Sequence, residues 1–442
     1  MAILEGYSEY SNMACPTSKF GVLRLLQALY GLKQAPRPWY KDVNRFFLSV
    51  GMTRSSEDHS LYLSNDLLIL LYVDHLLLCA KDLRSIEGIK KRLSTTYHMT
   101  DLGPIRQFLG LQIVRDRRLH GIDLHQSPYI RPILTRFQMS DCKGITTPME
   151  PNIYLLLCTN DTEISNRSEY QSKIGSIMYA MLGTRPDLAY TISTLSKYND
   201  RPTCLHHIAL KSVFRYLQET QDTRIRYERV SGEAGNPPNI TGYTDSDWAG
   251  DKDDRKSTSG YVFLLGGAAI SWKSRKQDVV ATSSTEAEYV ALTEAAKESV
   301  WLRRLLIELE SRVITLTAPN ITNDHFYQLN EQWQSLNSKA KSTNDSHLAQ
   351  TWTTSIAPQI IHPNNQGAIK LSENPQCPAR TKHIDIRYHY IRTAREHNKL
   401  SVIYILTADM TADILTKALV RDKHMKHMNG MGMITLVSDR QI

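Results

Sequence analysis

The 442-residue chain has little cysteine and no long uninterrupted apolar run. Its six cysteines, Cys15, Cys79, Cys142, Cys158, Cys204 and Cys377, form no Cys-x-x-Cys pair, which argues against a disulfide framework or a zinc knuckle. The longest apolar stretch, Leu67 to Ala80, is interrupted by Asp74 and His75 and is too short to span a bilayer. The first twenty residues contain no basic segment leading into an apolar one, so no secretory signal is expected. A reducing, intracellular setting without a membrane partner follows, with cytoplasm and nucleus both open.

Composition is otherwise that of a globular protein, 41% hydrophobic and 22% charged. The length fits about three domains. Lys and Arg outnumber Asp and Glu by 53 to 45, a net charge of +8 that favours polyanion partners. Residues 67–80, LLILLYVDHLLLCA, read as a buried β-hairpin with one acid at its tip. A carboxylate between apolar strands is costly unless it is paired or binds a metal.

Further along, Asp245 ends a strand-like run, and residues 257–265 and 268–272 read as two more strands. Ser283 and Glu286 fit a capping box that opens a long helix through Ala287, Ala291, Ala295, Leu302, Leu305 and Leu309. An acid at a strand end and another, Glu288, in the first turns of the next helix is the layout of a ribonuclease H-like metal site. Glu286 reads as a helix-start acid, with Asp247 and Asp251 as candidate substitute ligands. Arg185 and Asp187 read as helix-end packing, and residues 206–220 as a helix. Asn, Gln, Ser and Thr supply 23 of the 49 residues from 311 to 359, which reads as a polar insertion without a packed core. Asp42 and Val43, followed by Phe46 and Phe47, read as a helix surface.

LYGLKQAPRPWY at 29–40, YVDH at 72–75, DLGP at 101–104 and FLGL at 108–111 resemble, in order and spacing, the reverse transcriptase of copia-type LTR retrotransposons. TDSDWAG at 244–250, SSTEAEY at 283–289, NNQGAI at 364–369, the basic and aromatic run at 380–392 and ADILTK at 412–417 resemble the ribonuclease H of the same family. The resemblance implies an α/β (α+β) chain. It divides into a partial palm and thumb over 1–147, a connection segment over 148–235 and a ribonuclease H-like domain with a mixed sheet over 236–442.

It also implies Mg2+ as cofactor and an RNA/DNA hybrid or other nucleic acid as partner, together with other element-encoded proteins. Asp74 would be a polymerase ligand, and Asp245, Glu288 and Asp413 nuclease ligands. Gly31, Lys33, Gln34, Arg37, Arg380, Lys382, His383 and Arg387 would contact nucleic acid. Two positions depart from the family pattern. His75 stands for the second aspartate of the polymerase turn, and Asn364 for the remaining nuclease acid. Imidazole is a poor magnesium ligand, and an amide lacks the negative charge that two cations need. The family's first palm aspartate is expected to lie before residue 1. The helix acid precedes the Asn364 strand, an order that fits ribonuclease H rather than an integrase. The main expectation is a degenerate Pol fragment, impaired at both sites and retaining nucleic-acid binding. The alternatives are an active magnesium-dependent ribonuclease H and a non-catalytic binding or assembly protein.

Overall fold

The computed structural model describes residues 36–151, 153–157, 165–228, 239–317, 358–373 and 385–435. Gly31, Lys33, Gln34, Arg380, Lys382 and His383 lie outside them, as does most of the polar insertion. The chain forms two compact units, one from residues 1–100 with 311–319, the other from 101–310 with 320–442.

In the first unit, helix α1 (Pro36–Ser49) precedes strands β1 (Thr53–Arg54), β2 (Leu61–Leu63), β3 (Leu67–Tyr72) and β4 (His75–Ala80), and helix α2 (Leu83–Thr96) follows. Pro36 and Pro38 sit in the first turn of α1, where a missing N–H breaks no helical hydrogen bond. Val43 and Phe47, one turn apart, bury against Tyr62, Ile69, Ile89 and Leu93. Asp42 lies on the exposed face, as its sequence context suggests, and accepts from the Tyr97 hydroxyl at 2.9 Å. The four strands form an antiparallel sheet in order β1-β2-β3-β4. Leu67, Ile69 and Leu71 of β3 point inward in strict alternation.

The second unit begins with β5 (Gln107–Phe108), β6 (Leu111–Asp116) and β7 (Gly121–His125). Helices α3 (Ser127–Arg136), α4 (Arg167–Gly183), α5 (Ala189–Ser196) and α6 (Cys204–Glu219) follow, then β8 (Thr223–Tyr227). Next come β9 (Thr241–Ser246), β10 (Thr258–Leu265), β11 (Ala268–Lys276) and the long helix α7 (Ser284–Thr317). The chain closes with β12 (Gln359–Pro363), α8 (Gln366–Glu373), α9 (Asp385–Glu396), β13 (Leu400–Val402), a 3₁₀ segment at Thr411–Leu415, α10 (Arg421–Gly430) and β14 (Met433–Thr435).

Two five-stranded sheets result. One runs β14-β8-β7-β6-β5 and is antiparallel throughout. The other runs β11-β10-β9-β12-β13, antiparallel on the β11 side and parallel where β12 joins β9 and β13. Period-two alternation sends neighbouring residues of β10 to opposite faces. Val262 joins a core with Ile174, Ile177, Ile192, Leu210 and Phe214 of α4–α6. Tyr261 and Phe263 join a second core with Tyr289, Leu292 and Ala296 of α7. The mixed sheet is therefore a middle layer between two helical layers.

The sequence divides the chain at 147 and 235, whereas the compact units divide after Thr100. Helices from the 148–235 segment supply one face of the mixed sheet's core, and the hairpin β6–β7 shares a sheet with β8 and β14. Arg185 and Asp187 do pack at a helix end, as expected, but Arg185 makes no side-chain capping bond to the 3₁₀ turn Pro186–Leu188. Both are fully buried and ion-paired at 2.8 Å. Arg185 also donates to the Thr220 carbonyl at 3.1 Å, and the Tyr216 hydroxyl donates to Asp187 at 2.7 Å.

Candidate functional site

In the first unit, Tyr72 pairs with His75, so Val73 and Asp74 make a two-residue turn. Val73 takes φ +54°, a costly conformation for a β-branched residue. The Trp39 indole N–H bonds its carbonyl and helps hold the turn. The tip is not buried, in contrast to the sequence expectation: the Asp74 and His75 side chains are 60% and 57% exposed. A two-residue turn lifts its side chains clear of the apolar strands, so Asp74 needs no buried partner. The His75 ring lies 2.8 Å from its carboxylate and holds its pKa below the usual range. Arg37 is exposed in the first turn of α1.

The second unit gathers its acids very differently. Asp245 is the penultimate residue of β9, at the centre of the mixed sheet, and is 1% exposed. Glu288 lies in the first turns of α7 and is 6% exposed. Asp413 lies in the 3₁₀ segment and is 4% exposed. That segment packs against β10 because residue 260 is glycine. A Cβ there would stand 2.7 Å from Leu415 Cβ and 2.8 Å from Thr416 Cγ2. Asn364 directly follows β12, the parallel neighbour of β9. Pro363 occupies the last position of β12, where the sheet tolerates its missing N–H.

These residues meet. The Asn364 side-chain amide donates to Asp245 Oδ1 at 3.3 Å. Thr416 Oγ1 donates to Asp245 Oδ2. Lys417 Nζ stands 2.9 Å from Asp413 Oδ1 and 3.6 Å from Asp245 Oδ2. Burial, reinforced by the Asp245 charge, pushes Glu288 well above the usual carboxyl range and Asp413 up to about 6. Burial opposes the charge of Lys417, but Asp245 and Asp413 outweigh it and raise its pKa. Glu288 Oε2 is buried with no hydrogen-bond partner.

Among the described residues, no three His, Cys, Asp or Glu side chains stand in metal-holding geometry. The Lys417 ammonium and the Asn364 amide sit on Asp245 instead. The donor set itself is hard oxygen, and an orphaned buried carboxylate oxygen is what a divalent cation would satisfy. Asp245, Glu288 and Asp413 thus fit such an ion chemically.

The other acids are committed elsewhere. Lys197 and Lys276 pair with Asp251 at 2.6 and 3.0 Å; burial opposes its charge, yet the lysines hold its pKa far below the usual range. Asp247 accepts from the Thr258 amide, and burial pushes it up to about 7. Glu286 is a helix-start acid, but the capping box is displaced. Glu286 N donates to Ser283 Oγ at 3.2 Å, while its carboxylate takes the Thr282 amide at 2.7 Å and the Thr282 hydroxyl at 2.6 Å.

Sequence reasoning assigned no role to Lys417, Thr416, Gln277 or Trp248. Gln277 Nε2 donates to Ser259 Oγ at 2.8 Å and to the Ala287 carbonyl at 2.9 Å, with Ser246 Oγ at 3.2 Å beside it, which fastens β9 and β10 to the start of α7. The four-residue spacing of Asp413 and Lys417 was the available signal for that pair. Arg387 lies in α9. No described helix is long and apolar enough to cross a membrane.

A reverse transcriptase (RNA-dependent DNA polymerase) family profile matches residues 14–151. The retrovirus-related Pol polyprotein from transposon TNT 1-94 of Nicotiana tabacum is 37% identical over 92% of this chain and 28% of its own length. The Pol polyprotein from transposon RE1 of Arabidopsis thaliana is 34% identical over 93% of this chain and 25% of its own. This chain therefore spans about a quarter of the length of those curated relatives. The putative transposon Ty5-1 protein of Saccharomyces cerevisiae is 32% identical over 63% of this chain and 89% of its own length. A solved foamy viral protease-reverse transcriptase in complex with double-stranded DNA aligns with 84% of this chain and 49% of its own at 13% identity and a TM-score of 0.42. On the strength of the sequence relatives, the chain belongs to the family of retrovirus-related Pol polyproteins of copia-type transposons.

Proposed function

We propose that the chain is a degenerate Pol fragment whose 236–442 region is a ribonuclease H-like module with impaired cleavage, and whose remaining activity is nucleic-acid binding. The observation that supports this most is the contact between Asn364 and Asp245. Three carboxylates converge at the end of the central strand of a mixed sheet, and the fourth position offers an amide that donates a hydrogen bond to the first. An acid at position 364 would repel Asp245 until a cation separated the two. Asparagine removes both the repulsion and one negative ligand.

In this reading Asp245, Glu288 and Asp413 would hold magnesium, with Glu288 Oε2 as the donor still lacking a partner. Bound there, the metal supplies water activation and stabilisation of the leaving oxygen. Glu288 and Asp413 hold protons more tightly than ordinary carboxyls, and Lys417 neutralises the Asp245–Asp413 pair. The polymerase region, 1–147, is read as inactive. Its hairpin turn presents one carboxylate and an imidazole where the chemistry needs two carboxylates. Segment 148–235 serves as the connection, in an intracellular protein that binds an RNA/DNA hybrid or other nucleic acid.

The test is cleavage of the RNA strand of such a hybrid with magnesium, comparing the native chain, Asn364→Asp and Asp245→Asn. Cleavage by Asn364→Asp alone is the expected result. Cleavage by the native chain, abolished in Asp245→Asn, would make this a live nuclease and overturn the impairment.

A further inference from the structure

We propose that Trp248 is a stacking platform for a base of a nucleic-acid strand lying across the acid cluster. The inference rests on the nucleic-acid reading above and assigns it a specific contact. Trp248 follows Asp245 by three residues, in the loop between β9 and β10. It is 58% exposed, while Ala281, whose carbonyl receives its indole N–H at 3.3 Å, is 5% exposed. Val280 and Val279, just before that carbonyl, are 51% and 37% exposed. One exposed indole and two exposed valines thus flank this hydrogen bond, with the indole three residues along the chain from Asp245. Core packing does not account for them.

The platform is held rigid from both sides. Ala249 takes φ +54°, and its amide donates to Ser257 Oγ at 3.1 Å. Gly250 wraps closely on Asp247: a Cβ at Gly250 would stand 1.9 Å from Asp247 Oδ2. Asp247 is itself held by the Thr258 amide. On the opposite side, the Glu286 carboxylate ties down Thr282, the residue after Ala281. A ring fixed before binding loses little entropy on contact, and any base presents a π face to it.

The reach is suitable. Three residues span at most about 11 Å of chain, and successive bases along a strand rise by about 3.4 Å. Trp248 thus lies within about three nucleotides of the strand position that passes over Asp245. The Trp248 indole bridges the loop after β9 to the segment leading into α7, the two elements that carry Asp245 and Glu288. A stacked base would set the register of the strand over both acids.

The experiment measures binding of a short fluorescent RNA/DNA hybrid to the full chain by anisotropy, with EDTA present so that cleavage plays no part. Trp248→Ala should bind about tenfold more weakly, and Trp248→Phe, which keeps an aromatic face, within about threefold of the native chain. The salt dependence of binding should be unchanged, because stacking releases no counterions. Native affinity in Trp248→Ala would overturn the proposal. So would an equal loss in Trp248→Phe with folding intact, since that would assign the effect to the Ala281 hydrogen bond. If the native chain fails to bind the hybrid, the nucleic-acid reading itself falls, and the stacking site with it.

Discussion

Asp74 and Asp245 occupy corresponding places in two motifs, each an acid near the end of a strand, yet their surroundings are opposite. Asp74 stands on a two-residue turn in water with an imidazole at 2.8 Å, and its carboxyl remains readily ionised. Asp245 is at the centre of a five-stranded sheet, within reach of Asp413, Lys417, Thr416 and Asn364. Burial at the second place shifts its neighbours toward their protonated forms. The contrast shows that layers that exclude water make a carboxylate's charge costly, so that a buried cluster calls for a proton or a cation to offset it. A hairpin alone leaves its acid solvated.

The comparison can be broken most forcefully at a buried carboxylate that has a full partner. Arg185→Met leaves Asp187 unpaired in the core and should cost about 3–5 kcal/mol of stability in urea unfolding of the second unit. A loss below about 1 kcal/mol would mean that water reaches the pair.

Acidification tests the same interior. Burial lowers the pKa of both His424 and His427 to about 4, against an unfolded value of 6.5. Between those values the unfolded chain binds more protons, so stability is full above about 6.5 and falls as pH drops toward 4. The loss per histidine is on the order of 3 kcal/mol. Urea midpoints at pH 7 and pH 5 should differ, and His424→Gln should narrow the difference.

Lys417→Met removes the ammonium from Asp245 and Asp413. Because that side chain is 40% exposed, the expected cost is only about 1 kcal/mol without divalent ions. Magnesium should then raise the melting temperature of the variant more than that of the native chain. Equal responses would mean that the lysine does not compete with the ion.

The smallest effect belongs to the hairpin. His75→Ala should change stability by less than about 0.5 kcal/mol, because the Asp74 pair is exposed and screened. A larger loss would show that the ring supports the strained Val73 turn.

Much of this organisation was legible in the chain itself. Short apolar runs marked β3 and β4, residues 257–265 read as the strand that is β10, helical spacing marked α6 and α7, and the motif residues Asp245, Glu288, Asp413 and Asn364 do come together. Those features depend on local periodicity and on residue identity, which a sequence carries directly. Other features depend on segments far apart. Asp187 meets His424 through Tyr216, across more than two hundred residues. Asp251 finds Lys197 and Lys276 across a helix layer and a strand.

The sequence by itself determined which residues are candidates for chemistry and which two positions depart from the family pattern, because His75 and Asn364 are identities rather than geometries. Only the tertiary structure decided that Asp74 stays in water and that Lys417 is set between two buried acids. Only it decided that the helices of segment 148–235 wall one face of the mixed sheet. Burial is a property of layers packed together, and it is burial that sets the cost of a charge.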